Sequence, residues 1–83
     1  MKRSDIWREI KAERERQSQQ WGTEHAWGYG DCSSPFVEPI VKAAVMNEEC
    51  GEVARAVLDR DEDELVNELI QVAAVAVAWL ESL

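Results

Sequence analysis

Apolar positions in the first part of this chain recur with the period of an α-helix. Ile6, Trp7 and Ile10 follow helical spacing, and Ser4, just before them, is a residue type that favours the N-cap. The pattern predicts a first helix that is capped by Ser4 and runs to about Gln20. Its second half is almost entirely polar, so this half is expected to be held weakly or by another element.

Two further helices are predicted downstream. One begins within the segment 37–39, where a proline is tolerated in the first helical turn, and runs to about Leu58. The next is capped by Asp61, because Glu64 three residues later completes an arrangement typical of a capping box, and it runs to about Ser82. All 83 residues are therefore expected to form one all-α domain.

The second predicted helix has two distinct faces when its residues are spaced by about 100° each. Glu48, Glu49 and Glu52 fall on one side, bounded by the apolar residues Val45 and Ala56. A solvated acidic face would continue as polar residues in both directions. The apolar residues on either side therefore indicate that the glutamates face a partly enclosed space. The core stripe is predicted to lie on a different side and to consist of Ala43, Met46, Cys50, Val53 and Val57.

The third predicted helix changes character along its length. Glu64, Glu68 and Gln71 share one stripe, whereas the segment from Val72 to Leu80 is apolar on every side. A helix at the surface of a monomer cannot be apolar all round, and a chain this short lies near the limit of independent stability. We therefore predict a helical bundle completed by homo-oligomerisation, as a dimer or a tetramer.

The segment 22–35 is rich in glycine and is unusual in its aromatic residues. Trp21, Trp27 and Tyr29 flank the only histidine, His25. One interpretation is a small aromatic lid that packs on the helices, and the other is a surface on which a nucleotide base stacks. The sequence leaves both open.

The formal net charge is −8, from 17 acidic and 9 basic side chains. The basic residues of the first helix alternate with acids, so duplex nucleic acid is not an expected partner. No apolar run is long enough to cross a membrane and no secretory signal is visible, which together favour a cytoplasmic protein. Cys32 and Cys50 have no metal-ligand spacing and are not expected to form a disulfide. Cys50 is expected to be buried as a small hydrophobic residue.

Antiparallel packing of the second and third helices would bring their glutamates towards one point. Neighbouring carboxylates repel one another, and more strongly when they are buried. Mg²⁺ would relieve this repulsion, because it prefers hard oxygen ligands. The alternative is that the glutamates form salt bridges to Arg55, Lys42 or the basic first helix.

Two acidic motifs stand in order along the chain. The first is Glu49-Cys50-Gly51-Glu52, preceded by Glu48, and the second is Glu68 followed three residues later by the polar Gln71. They resemble the Glu-x-x-Glu and Glu-x-x-Asp motifs of the MazG-like all-α nucleoside triphosphate pyrophosphohydrolases. The segment 13–22, ERERQSQQWG, is also similar to the opening of short phage and actinobacterial members of that family.

The resemblance implies a Mg²⁺ site and a reaction. Glu49, Glu52, Glu68 and Gln71 would hold the cation, and Glu48, Glu49 and Glu52 would be the catalytic carboxylates. A nucleoside triphosphate, either NTP or dNTP, would be cleaved between its α and β phosphates to a nucleoside monophosphate and pyrophosphate. That chemistry uses an activated water and needs no serine, cysteine or lysine nucleophile.

Family members bind the base in a pocket lined partly by aromatic residues. By residue type, Trp21, His25 and Trp27 are the candidates for substrate binding in this chain.

Gln71 departs from the family motif, which has an aspartate at that position. An amide oxygen can ligate Mg²⁺ but carries no charge, so a weaker metal site is expected. The departure favours a second hypothesis, a non-catalytic protein of the same fold that binds or sequesters a nucleotide. A third hypothesis, a helical assembly module without a ligand, requires the glutamates to be paired with arginine.

Overall fold

The computed structural model describes all residues from 1 to 83 and contains three α-helices. Helix α1 spans Arg3–Trp21, α2 spans Pro39–Leu58 and α3 spans Glu62–Glu81. Between α1 and α2, the two-residue strands β1 (Glu24–His25) and β2 (Gly28–Tyr29) pair as a short antiparallel hairpin. The prediction of an all-α chain with three helices is confirmed, whereas the hairpin was not predicted.

The helix caps show where local sequence decides the fold. The side chain of Asp61 accepts a hydrogen bond of 3.0 Å from the backbone N–H of Glu64, as the capping pattern predicted. The predicted cap at Ser4 is wrong, because the backbone N–H of Ile6 already donates to the carbonyl of Lys2. Helix α1 therefore begins before Ser4, and Lys2 occupies the N-cap without a side-chain hydrogen bond.

The hairpin depends on glycine at two positions. Gly28 and Gly30 have φ angles of 126° and 101°, in the region that residues with a Cβ rarely adopt. A Cβ on Gly28 would also lie only 3.1 Å from the carbonyl oxygen of Phe36. The backbone N–H of Gly30 donates to the carbonyl of Thr23 at 2.8 Å, which closes the hairpin.

Helix α3 is central, because it packs against both α1 and α2. Its Ala74, Val75 and Ala78 are buried, and the apolar core that they form with neighbouring segments is small. No helix has an apolar stretch long enough to cross a membrane. The buried apolar residues are Ile10, Val37, Ala56, Ala74, Val75 and Ala78.

The predicted core stripe of α2 is wrong. Ala43, Cys50 and Val57 are exposed, and Met46 and Val53 are only half-buried. Helix α2 has apolar residues on more than one side, and the side that packs inwards carries the buried Lys42 and Ala56 and the half-buried Val45 and Glu49, with Met46 and Val53 at its margin. Cys50 is consequently an exposed free thiol rather than a buried hydrophobic residue, and Cys32 is also free.

Candidate active site

Two carboxylates from different helices lie in the interior. Glu49 is half-buried on the inward side of α2, four residues after Val45 and seven before Ala56. Glu68 on α3 is only 7 % exposed. Because α2 and α3 pack together, the two glutamates predicted to converge do lie close enough for their charges to interact.

The electrostatic environment of these carboxylates is unfavourable for charge. Burial, the neighbouring carboxyl group of Glu64 and the charges of Glu49 and Glu52 raise the pKa of Glu68 from 4.5 to about 7. The pKa of Glu49 is also raised, first by burial and then by the charges of Glu48 and Glu52. The sequence-predicted carboxylates therefore form one acidic cluster, which also includes Glu64.

One oxygen atom in each of the two most enclosed carboxylates lacks a partner. Oε2 of Glu49 and Oε2 of Glu68 are buried and accept no hydrogen bond. Buried polar atoms in folded proteins are nearly always hydrogen-bonded, so each exception needs an explanation. These two oxygens are the buried side-chain polar atoms of the chain that lack a hydrogen-bond partner.

Salt bridges do not neutralise the acidic cluster. The ion pairs of the chain join Arg8 to Asp5, Arg14 to Asp31 and Glu81, and Arg16 to Glu13. The alternative in which Arg55, Lys42 or α1 pairs with the cluster is therefore contradicted. The charge of Arg16 lowers the pKa of Glu49 without offsetting the effects that raise it.

Lys42 illustrates why that pairing fails. It is buried on α2, but its ammonium donates to the hydroxyl of Ser82 at 2.7 Å, at the far end of α3. The same hydroxyl donates to the carbonyl of Trp79. A cation beside the last carbonyls of a helix is favourably placed with respect to the helix dipole, so Lys42 holds α2 to the end of α3.

Gln71 lies on another side of the cluster. It is half-buried in a cleft of about 660 Å³ between α1 and α3, which it shares with Glu13, Arg16 and Glu64. Its amide makes no hydrogen bond within the chain. As the side chains stand, no group of three or more histidine, cysteine, aspartate and glutamate residues is gathered tightly enough to hold a metal ion. Whether Gln71 completes a metal site remains a prediction.

A cavity of about 190 Å³ adjoins the acidic cluster. Glu48 and Glu49 form one part of its lining, and Trp21 and Trp27 form another. Between them the wall is apolar. The valines that contribute to it are Val37, Val41, Val45 and Val75.

The aromatic residues at this cavity form a cluster of their own. The rings of His25 and Trp27 stack with centroids 4.4 Å apart and an angle of 14° between their planes, and Trp21 lies tilted against both. His25 Nε2 is 2.9 Å from the carbonyl oxygen of Trp21 and can donate to it. His25 therefore supports Trp27 and Trp21 from behind, and only the two tryptophans of the predicted trio line the cavity.

Sequence analysis missed three polar residues in the cavity wall. Gln17 is half-buried and has no hydrogen-bond partner in the chain, so its amide is free to meet a ligand. Asp31 and Cys32 come from the loop after the hairpin. A usable signal existed for Gln17, because it precedes Trp21 by four residues and so shares its helical face.

No protein-family model matches this chain, and no curated protein or solved structure matches it either. What the site can do therefore follows from its own residues. An apolar, aromatic cavity suits a flat organic group, and an adjacent cluster of unpaired carboxylates suits a cation. A ligand with a flat ring at one end and a cation-bound anionic group at the other would fit both parts.

Proposed function

We propose that this chain is a Mg²⁺-dependent nucleoside triphosphate pyrophosphohydrolase, which converts an NTP or dNTP to the monophosphate and pyrophosphate. One observation carries the proposal. The unpartnered buried oxygens of Glu49 and Glu68 lie in a cluster that opens onto a cavity lined by Trp21 and Trp27. The two acidic motifs that resemble the MazG-like family point to the same chemistry.

The acidic cluster has the oxygen ligands that a divalent cation prefers, although its carboxylates would have to draw closer together to hold one. Without one, burial and mutual repulsion raise the pKa of Glu49 and Glu68, which means that the charged forms are disfavoured. A cation at this point would give the orphaned oxygens a partner and reverse that effect. Glu49, Glu52 and Glu68 are the proposed ligands, with the carbonyl oxygen of Gln71 as a neutral fourth. Mg²⁺ commonly keeps several water ligands, so a full set of protein ligands is not required.

The remaining residues supply the parts of a hydrolytic site. When bound, Mg²⁺ would neutralise phosphate charge and polarise the attacked phosphorus. Glu48 lies beside Glu49 at the cavity and is exposed, so its carboxylate can orient a water molecule and accept its proton. The water oxygen forms a bond to the α-phosphorus as the bond between that phosphorus and the α–β bridging oxygen breaks, and pyrophosphate leaves.

The cavity dimensions suit the base rather than the whole nucleotide. Cavities that enclose drug-sized ligands measure roughly 300 to 1,000 Å³, so a volume of about 190 Å³ has room for a ring system only. The proposed pose stacks the base against Trp21 and Trp27, with its polar edge at the amide of Gln17. The sugar and phosphates then extend past Glu48 towards the acidic cluster.

The decisive experiment is a substrate panel. Purified protein is incubated with canonical and modified NTPs and dNTPs plus Mg²⁺, and the pyrophosphate and monophosphate formed are quantified. We expect stoichiometric release of both products from at least one nucleotide, abolished by EDTA and restored by excess Mg²⁺. Release of inorganic phosphate and a diphosphate, or no release from any nucleotide, contradicts the proposed reaction.

A non-catalytic nucleotide-binding protein is the second candidate. Gln71 brings no negative charge, and no three carboxylates are gathered tightly enough to hold a metal as they stand. Both observations favour binding without turnover. Calorimetry separates the two candidates. The non-catalytic candidate predicts that the protein binds a nucleotide but does not hydrolyse it over many hours.

We further propose that the chain works as a homo-oligomer. Helix α2 turns an apolar surface outwards, and a partner helix on it would complete the predicted bundle. Leu58 and Ile40 are more than 70 % exposed there. The outward-facing, exposed residues of α2 include Ile40, Ala43, Ala44, Cys50, Ala54, Val57 and Leu58.

A further inference from the structure

A buried arginine lies beside the proposed nucleotide cavity and plays no part in the chemistry described so far. Arg14 on α1 is only 9 % exposed. Its Nη1 donates to Asp31 Oδ2 at 3.1 Å, while Nε and Nη2 donate to the two carboxylate oxygens of Glu81 at 3.0 and 3.3 Å. One guanidinium thus joins α1, the loop after the hairpin and the end of α3.

The two carboxylates differ in how strongly they depend on Arg14. The side chain of Asp31 is 9 % exposed, whereas that of Glu81 is 48 % exposed and can be hydrated without it. Asp31 also accepts hydrogen bonds from the backbone N–H and hydroxyl of Ser33 and from the hydroxyl of Ser18. Its acceptor sites are therefore occupied, so Asp31 is better suited to hold the loop than to bind a ligand.

Asp31 connects this ion pair directly to the aromatic wall. Asp31 and Cys32 line the cavity themselves. The preceding residue, Gly30, is buried, accepts a long hydrogen bond from Trp27 Nε1 at 3.5 Å, and donates to Thr23. Asp31 is covalently bonded to Gly30, so a displaced Asp31 would move the carbonyl to which Trp27 is hydrogen-bonded.

We propose that Arg14 is a positioning residue, which clamps Asp31 so that the loop and Trp27 are held in the conformation that binds the nucleotide base. The inference rests on the proposed function and deepens it. If Arg14 loses its charge, Asp31 becomes a buried carboxylate without a cation, and the loop must open to hydrate it. Apparent affinity then falls in proportion to the fraction of molecules that keep the closed loop.

The test compares variants on both sides of this ion pair. Arg14→Met removes the charge and keeps much of the volume, and Asp31→Asn removes the charge of the same ion pair from the loop side. Glu81→Gln alters only the outer contact. Arg8→Met is the matched control, because Arg8 forms an exposed ion pair with Asp5 on the same helix. Arg14→Lys keeps the charge but not the planar fork of donors.

Two quantities are measured on each variant. Hydrogen exchange of the hydrogen-bonded amides of Gly30 and Ser33 reports on the loop, and KM and kcat for the nucleotide panel with Mg²⁺ report on the site. We expect Arg14→Met and Asp31→Asn to speed loop exchange and to raise KM at least tenfold, with kcat within about twofold of wild type. Arg14→Lys should be intermediate, and Glu81→Gln and Arg8→Met should leave KM within about twofold.

The outcomes separate the possible failures. A merely structural role would lower the melting temperature of Arg14→Met and the active fraction, and hence kcat, while KM stayed unchanged, and that result overturns the proposal. Faster loop exchange without a rise in KM overturns it as well. If wild type neither binds nor hydrolyses any nucleotide, the proposed function fails and the nucleotide role of Arg14 falls with it. The exchange data then still decide whether Arg14 holds the loop.

Discussion

Buried charge occurs in two regions of this molecule, and in only one of the two is every buried charged group hydrogen-bonded. Around Arg14 and Lys42, every buried cation has a hydrogen-bond partner, and those partners join different segments of the chain. Around Glu49 and Glu68, carboxylates crowd together, two buried oxygens lack partners, and no cation forms a salt bridge to them.

The charges of the first region stabilise the fold, whereas those of the second destabilise it. A buried ion pair stabilises the folded state about as much as apolar side chains of the same volume would, but removing one partner is strongly destabilising. The paired region therefore behaves as a structural unit. Unpaired like charges reduce stability, and perturbed carboxylates of this kind concentrate at functional sites. This contrast, more than any single residue, is the argument for placing ligand chemistry at Glu49 and Glu68.

The largest expected effect comes from neutralising the acidic cluster. Glu49→Gln and Glu68→Gln should each lower hydrolytic activity at least about 100-fold, equivalent to roughly 3 kcal/mol of transition-state stabilisation. Melting temperatures in metal-free buffer should stay level or rise, because repulsion is relieved. Steady-state kinetics and calorimetric melting provide the two measurements.

A matched control is available on the same segment. Glu38→Gln changes an exposed glutamate at the N-cap of α2, whose side chain makes no capping bond, and should alter neither quantity. If the Glu49 and Glu68 variants instead unfold in metal-free buffer, these glutamates are structural partners and the contrast between the two regions is false.

The second prediction is a stability that falls as pH rises. The pKa of Glu68 is about 7 in the folded chain against 4.5 ordinarily, so the folded state binds the proton more tightly than the unfolded state does. The stabilisation is complete below pH 4.5 and is lost as the pH rises through 7. Between pH 5 and 8, unfolding free energy should drop by about 2 kcal/mol from this group.

Denaturant titrations without metal measure that drop. Glu68→Gln should flatten the profile over the same range, and Mg²⁺ should restore stability to wild type at pH 8, where the carboxylates are ionised. The pKa of Glu49 is raised too, so some slope will remain in the variant. A wild-type stability that rises from pH 5 to 8 would contradict a raised pKa of Glu68 in the folded chain.

The third prediction concerns the exposed apolar surface of α2, on which the proposed oligomer depends. Val57 is 55 % exposed on the outward face of α2. Val57→Lys should leave the helix intact, because a cation is favourable near a helix C-terminus, but should cost roughly 2 kcal/mol of association free energy for each valine removed from an interface. Light scattering coupled to size exclusion should show a loss of oligomer, with unchanged helical circular dichroism.

Asp59→Lys is the control for that experiment, since it reverses a charge two residues away on an exposed polar position. A wild-type protein that is already monomeric at micromolar concentration removes the oligomer from the proposal.

The parts of this structure that sequence could predict are those that depend on neighbours in the chain. The Asp61 cap needs only the backbone of Glu64, and the ends of α2 follow from Pro39 and from the charged turn after Leu58. The rotation of α2 about its axis could not be predicted from the sequence, because apolar residues surround the helix. The predicted and the observed orientation each bury some of them. Choosing between them requires the positions of α1 and α3.

The site shows the same division. The convergence of Glu49 and Glu68 was predictable from helical spacing and antiparallel packing. The role of Arg14 was not, because its partner Glu81 lies 67 residues away and both are common surface residue types. His25 was grouped correctly with Trp21 and Trp27 by residue type, but its place behind the cavity depends on the hairpin.

The smallest expected effect concerns Gln71, the one proposed ligand without charge. If the acidic cluster is a weakened metal site, Gln71→Asp or Gln71→Glu should tighten Mg²⁺ binding by about tenfold, because an added anionic ligand within reach of the cation contributes on the order of 1 kcal/mol. The gain would appear as a lower Mg²⁺ concentration for half-maximal activity, or as hydrolysis in a previously inert protein. Asn67→Asp is the matched control, since Asn67 is exposed in the same cleft one helical turn earlier. If Gln71 instead contacts the nucleotide through its amide, Gln71→Asp would weaken nucleotide binding in calorimetry and leave Mg²⁺ affinity unchanged. That result would remove Gln71 from the metal site and favour the non-catalytic nucleotide-binding protein, because only Glu49, Glu52 and Glu68 would then remain to hold the cation.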